Sequence, residues 1–229
     1  GLLHSLIDGH PEISTMPSIY FSEFFDHFAW ENLIAEGFDG ILNRFMSIYD
    51  ILFNASSLTP IKTQGGKFVK NLGQQEGLLN VGDDKNEVLQ LDRLAFRKEL
   101  SRLLDEHNQI DAFTFFKLIQ ASFDKALGDT NEKKMMFYHI HNPSADAKLN
   151  FFRFAPNAKG MMMVREPLHS CESWIRNQLL ENDYSGVIYK IIAMLFEFNN
   201  EIYTEKNSIG VRLEDLKEHP ELTIAALCE

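Results

Sequence analysis

The stretch Met161-Met162-Met163-Val164-Arg165-Glu166-Pro167-Leu168-His169-Ser170-Cys171-Glu172-Ser173 constrains this chain more than any other. A short apolar run ends at an arginine, a proline follows two residues later, and helical spacing continues beyond it. The pattern predicts a buried strand that delivers Arg165 to its carboxyl end. It also predicts a helix opened by Pro167, because the fixed φ and missing N–H of proline suit a first helical position. In open α/β sheets ligands bind outside the carboxyl ends of the strands, so Arg165 is placed to hold an anion.

Charge sharpens that expectation. The formal net charge is −11, which argues against non-specific nucleic-acid binding and against an anionic membrane surface. An anionic ligand must then be captured by a few local donors. At 229 residues the chain is long enough for one large domain, with room for an inserted subdomain. No apolar run reaches the roughly 20 residues of a membrane span, and no signal peptide is visible. The two cysteines, Cys171 and Cys228, make neither a disulfide framework nor a metal pattern. A cytoplasmic location and no metal are expected.

In chain order, Leu2, Leu3, Leu6 and Ile7 share one helical face ended by Gly9 and Pro11. A helix at residue one, with no strand before it, reads as the remainder of a longer unit, and the stop at Cys228-Glu229 reads the same way. Ile13 to Pro17 reads as a short strand, and Tyr20, Phe21, Phe24, Phe25 and Phe28 as an aromatic cluster. Core packing is the simpler role for that cluster, a ligand platform the other. Residues 31–60 have helical spacing. Residues 56–87, broken by Gly65-Gly66, Gly73, Gly77 and Gly82, read as a long excursion or flap. Gly65-Gly66-Lys67 lacks the Walker spacing of a phosphate loop. Helices are predicted over 91–104, from an Asp111 cap to Leu127, and over 148–154. Strands are predicted at 135–141 and at 209–213. Strand, short helix, strand between Met135 and Val164 reads as a βαβ unit with a parallel sheet.

Four pieces, in order, resemble the sulfotransferases that use 3′-phosphoadenosine 5′-phosphosulfate (PAPS). Leu2 to Pro11 resembles the helix after the family's 5′-phosphosulfate loop. Pro156-Asn157-Ala158-Lys159, the strand that follows, and Arg165-Glu166-Pro167 with Ser173 resemble its 3′-phosphate motif. Val211-Arg212-Leu213-Glu214-Asp215-Leu216-Lys217 with Pro220 resembles its late strand and "EDL" turn. The resemblance implies an α/β, three-layer P-loop-type fold with a central parallel sheet, and a single domain over 1–229 with a largely helical insertion at about 30–130. It implies PAPS as co-substrate, bound by Arg165, Ser173, Gly1, Leu2 and Leu3. The cationic Ser-Gly loop of the family is not in the chain as given; only Gly1 could belong to it. The acceptor is expected to be a small molecule or a carbohydrate, and the oligomeric state is open.

Geometry adds an independent expectation. Ser173 lies roughly 10 Å along the helix from its start, at 1.5 Å per residue, so a phosphate touching both Arg165 and Ser173 would lie beside the helix, with Ser170 on a neighbouring face. The competing reading pairs Arg165 with Glu166 or Glu172. For the base, His141 in His139-Ile140-His141-Asn142-Pro143 is similar to the His-x-Pro histidine of the cytosolic branch, and His139, on the same side of the strand, is second choice. Glu23 stands a little beyond the region where the heparan-type branch carries its glutamate. Glu214 and Asp215 read as acids charging the start of a helical turn. His4 and His10 are assigned no chemistry. Two alternatives stand beside sulfuryl transfer: another P-loop nucleotide-binding enzyme such as a kinase, and a catalytically inactive sulfotransferase-like binding protein.

Overall fold

The computed structural model describes residues 2–17, 24–55, 84–140, 145–180, 185–204 and 207–228. The chain forms two compact units, Gly1–Phe154 and Ala155–Glu229. Both are mixtures of helix with a small parallel sheet, so the protein is α/β in character.

The first unit begins with α1 (Leu2–Ile7) and β1 (Ile13–Thr15). Next come α2 (His27–Ile34) and α3 (Ile41–Ile48), then a single 3-10 turn at Asp50–Leu52. The continuous helical spacing of 31–60 is thus divided. Gly37 and Gly40 both take positive φ, 85° and 78°, a conformation glycine adopts without steric cost. Arg44 fastens the break: its Nε donates to the Leu33 carbonyl at 2.6 Å and its Nη1 to the Asp39 carbonyl at 2.9 Å, with Nη2 on the Gly37 carbonyl. The excursion expected at 56–87 lies outside the described residues up to 83.

Two capped helices build the core. In α4 (Arg93–Leu104) the Asp92 carboxylate accepts from the N–H groups of Leu94 and Ala95, and Phe96, Leu100 and Leu104 are buried at four-residue spacing. In α5 (Ala112–Ala126) Asp111 accepts from Thr114 N–H at 2.7 Å. Such caps satisfy donors that the first helical turn leaves without partners. Gly128, φ 77°, closes α5 one residue past its C-cap. Phe45 of α3 packs on Phe96 of α4 and on Phe115 of α5, with ring centroids 5.9 and 5.7 Å apart. Each such side chain stabilises the fold by about 1.5–3 kcal/mol on burial.

β2 (Met135–Phe137) pairs with β1 in parallel, Ile13 beside Met135 and Thr15 beside Phe137. It is shorter than the 135–141 expected from sequence. α6 (Ala145–Phe154) completes this unit and begins three residues earlier than its apolar spacing implied.

The second unit holds β3 (Gly160–Val164) and β4 (Ser208–Arg212), also parallel, with Gly160 beside Ser208 and Val164 beside Arg212. A Cβ on Gly160 would run into the Ser208 side chain, so glycine is the residue this register accepts. β3 was expected to be buried; its side chains are half-buried and Met161 is 38 % exposed. Among the described residues each strand has only one neighbour, which leaves an edge on both. α7 (Pro167–Leu180) follows β3 as its proline predicts, and α8 (Ser185–Thr204) packs on α7 and β4. α9 (Leu213–Glu218) and α10 (Pro220–Cys228) end the unit, with Val187, Val211 and Leu216 as its buried residues among those described. No described helix is long and apolar enough to cross a membrane.

Candidate anion site

Arg165 follows the last residue of β3 and is exposed. Neither carboxylate expected to compete for it does so. The Glu166 carboxylate caps α7 instead, accepting the His169 backbone N–H at 2.8 Å, while the His169 ring Nδ1 lies 3.2 Å from the same oxygen. Those amide bonds, from His169 first and Leu168 after it, hold the Glu166 carboxyl below the usual range. Glu172 pairs with Arg176 one turn on, at 3.3 Å. Arg165 makes no hydrogen bond or ion pair among the described residues. A guanidinium carries five N–H donors in a planar fork, and no described residue accepts from those of Arg165.

The face of α7 nearest this turn in helical phase is polar. Glu166, Ser170 and Ser173 recur at four and three residues, so they share one side. Ser170 and Ser173 are half-buried, whereas His169, Glu172 and Arg176 face outward. Because Glu166 already occupies the tip of α7, an anion gains nothing there. The remaining donors lie at the turn and along the serine face, beside the helix.

One residue that sequence reasoning treated as a helix-turn acid has a larger role. Glu214, in the first turn of α9, accepts the Glu166 backbone N–H on Oε1 at 3.1 Å. This ties the Arg165 turn to the end of β4. The Glu166 N–H first, the Glu214 N–H next, and then Arg212 and Arg165 hold the Glu214 carboxyl below the usual range. Two acids 48 residues apart gave no sequence signal of this link, since the bond runs from carboxylate to backbone.

In the first unit, α1 and the ends of β1 and β2 form a separate cluster. Leu3 is buried and Leu2 is exposed. Thr15 donates to Asp8 at 2.6 Å, and the Ser14 hydroxyl to Gln120 at 2.9 Å in the interior. His139 lies two residues past β2, its ring centroid 6.3 Å from that of His4, which in turn is 5.5 Å from Phe137. The structure therefore brings His4, left without a role in the sequence, beside the second-choice base. His141, Glu23, Tyr20, Phe21 and Gly1 lie outside the described residues.

Burial lowers the His4 pKa from 6.5, against the raising effect of Asp8. A lowered pKa favours the neutral ring in the folded state, so this contribution to stability is full above about 6.5 and fades as pH falls through that value. His4→Phe keeps a ring there and removes the titration. Urea midpoints at pH 7 and pH 5 should then fall less steeply with acid in His4→Phe than in the parent chain. Equal slopes for the two would show that His4 is not part of the acid response.

No protein-family model, no curated protein and no solved structure matches the chain.

Proposed function

We propose that the chain is a PAPS-dependent sulfotransferase that transfers a sulfuryl group to a hydroxyl or amine of a small-molecule or carbohydrate acceptor, on a three-layer P-loop-type fold, in the cytoplasm. The observation that carries this reading is Arg165: a guanidinium at the carboxyl end of a parallel strand, unclaimed by the neighbouring carboxylates among the described residues, next to a half-buried serine face.

The residues fit one end of the co-substrate well. A 3′-phosphate is planar-fork compatible on two of its oxygens, which suits Arg165, and Ser170 and Ser173 would donate to it from the flank of α7. For the 5′ end, the resemblance implies the amides of Leu2 and Leu3, with Gly1, as the donors. When bound, the co-substrate supplies an activated sulfuryl group, whose S–O bond to the 5′-phosphate breaks as the acceptor oxygen or nitrogen bonds to sulfur. The protein's share is positioning and charge neutralisation, as in phosphoryl transfer, together with removal of the acceptor proton. His141 is the first candidate for that proton and His139 the second. A neutral His4 ring beside His139 supports the second by keeping an uncharged neighbour near neutral pH.

Calorimetry with adenosine 3′,5′-bisphosphate and adenosine 5′-monophosphate tests the reading. The bisphosphate is expected to bind at least tenfold more tightly. Equal affinities would overturn the assignment of a 3′-phosphate site. For the base, His141→Ala should cut turnover while leaving nucleotide affinity nearly intact; unchanged turnover removes His141 and moves the question to His139.

A further inference from the structure

α8 carries an apolar stripe that no described residue covers. Its inner side holds Val187, which is buried, with Ile191 and Met194 half-buried, and the helix packs on α7 and β4. A different side holds Ile188, Ile192 and Leu195, which recur at four and three residues, the spacing of a helix–helix seam. Tyr189 and Phe196 flank them, and all five are between 49 % and 75 % exposed. At 3.6 residues per turn the five span about 120° of the helix, as wide as the stripe by which a helix usually meets a core. The unit has little core of its own, since Val187, Val211 and Leu216 are its buried residues among those described. Association is one route by which such small cores gain stability.

We infer that two copies of this chain associate through α8, stripe against stripe, about a twofold axis. Area supports a second copy as the occupant. Large apolar side chains carry roughly 150–250 Å² each, so at these exposures the five present on the order of 600 Å² per copy. A symmetric pair then covers about 1,200 Å², the lower end of the range for specific, stable interfaces. Charge supports it as well. A chain with net charge −11 repels its own copies, and a twofold contact sets each patch against its own counterpart. Self-association of this chain therefore needs a face without charge, and the five residues of the stripe have none. A lipid surface fits less well, because helices that lie on membranes are rich in Lys and Arg on their polar face. α8 contains Lys190 and no arginine. The inference is independent of the sulfotransferase reading.

Sedimentation equilibrium of the full chain tests this. Between about 1 and 100 µM the chain should show a reversible monomer–dimer equilibrium that ends near twice its mass of 26.4 kDa. Ile192→Glu puts a charge opposite its own counterpart at the centre of the stripe and should raise the dissociation constant at least about a hundredfold, with helix content unchanged. Ile188→Ser, a milder change at an exposed position, should raise it about tenfold, and it decides the matter if Ile192→Glu does not fold. Leu222→Glu alters an exposed leucine of α10, away from the stripe, and should leave the equilibrium where it is. A parent chain still monomeric at the highest concentration would overturn the dimer; flotation of that monomer with phosphatidylcholine vesicles would assign the stripe to a lipid surface instead. A dimer that survives both stripe substitutions would overturn it too, by placing the contact elsewhere. So would a mass that keeps growing past two copies, since a twofold contact closes.

Discussion

Arg165→Ala will weaken adenosine 3′,5′-bisphosphate by about ten- to a hundredfold and leave adenosine 5′-monophosphate unchanged. A hydrogen-bonded charge pair of this kind contributes about 1.5–3 kcal/mol, and each 1.4 kcal/mol is tenfold in affinity. The loss should be confined to binding. Arg165 is exposed and makes no hydrogen bond or ion pair among the described residues, so its removal breaks none there. Thermal midpoints of parent and variant should therefore agree within a degree or two. Arg165→Lys should recover part of the affinity, since charge survives and the planar fork does not. Ser173→Ala removes a single neutral donor, worth about 1 kcal/mol or roughly fivefold. If neither Arg165→Ala nor Ser173→Ala affects the bisphosphate, both roles are wrong, whatever the fold turns out to bind.

How much of this was legible in advance depended on whether the signal was local. Pro167 at the first position of α7, Asp111 as the cap of α5 and Gly128 just past its end are each decided by one residue's chemistry, and the structure has all three. The break between α2 and α3 was also written locally, in Gly37-Phe38-Asp39-Gly40, yet apolar spacing on both sides masked it. What was hidden is what depends on partners far away in sequence. Ile13 pairs with Met135 and Met161 with Ile209; short apolar runs announce strands but not their neighbours. Glu214 looked like one more acid at a helix start, and only the parallel register of β3 and β4 sets its carboxylate under the Glu166 amide. His4 was hidden similarly, because its contacts with Phe137 and His139 run from α1 to the end of β2.

The largest loss of stability will come from Phe25→Ala, at about 3–5 kcal/mol. Phe25 is 3 % exposed. Its ring lies 5.1 Å from Phe116, 5.2 Å from Phe24, 5.3 Å from Phe151 and 5.4 Å from Tyr138, with Phe154 and Phe113 at 6.0 and 6.2 Å. Apart from the chain neighbour Phe24, those rings come from α5, α6 and the residue after β2, so one side chain joins three elements that lie roughly 90 to 130 residues further along the chain. Asn150 adds a hydrogen bond to the Phe25 carbonyl at 2.9 Å. Most contacts are tilted or edge-on, the arrangements that contribute beyond area alone. A total stability of about 5–15 kcal/mol is typical, and urea slopes run about 1–3 kcal/mol per molar, so the midpoint should drop by a molar or more. Phe25→Leu fills much of the space and loses the ring contacts, for a smaller cost of about 1–2 kcal/mol. The sequence left two roles open for the cluster around Phe25, core packing or a platform for a ligand, and this pair of variants separates them. A platform residue tolerates truncation in the empty protein and shows its loss only when acceptor is added. A core residue shows it in urea with no acceptor present, and the exposed Phe28, at 67 %, supplies the contrast: Phe28→Ala should leave the urea midpoint nearly where it was.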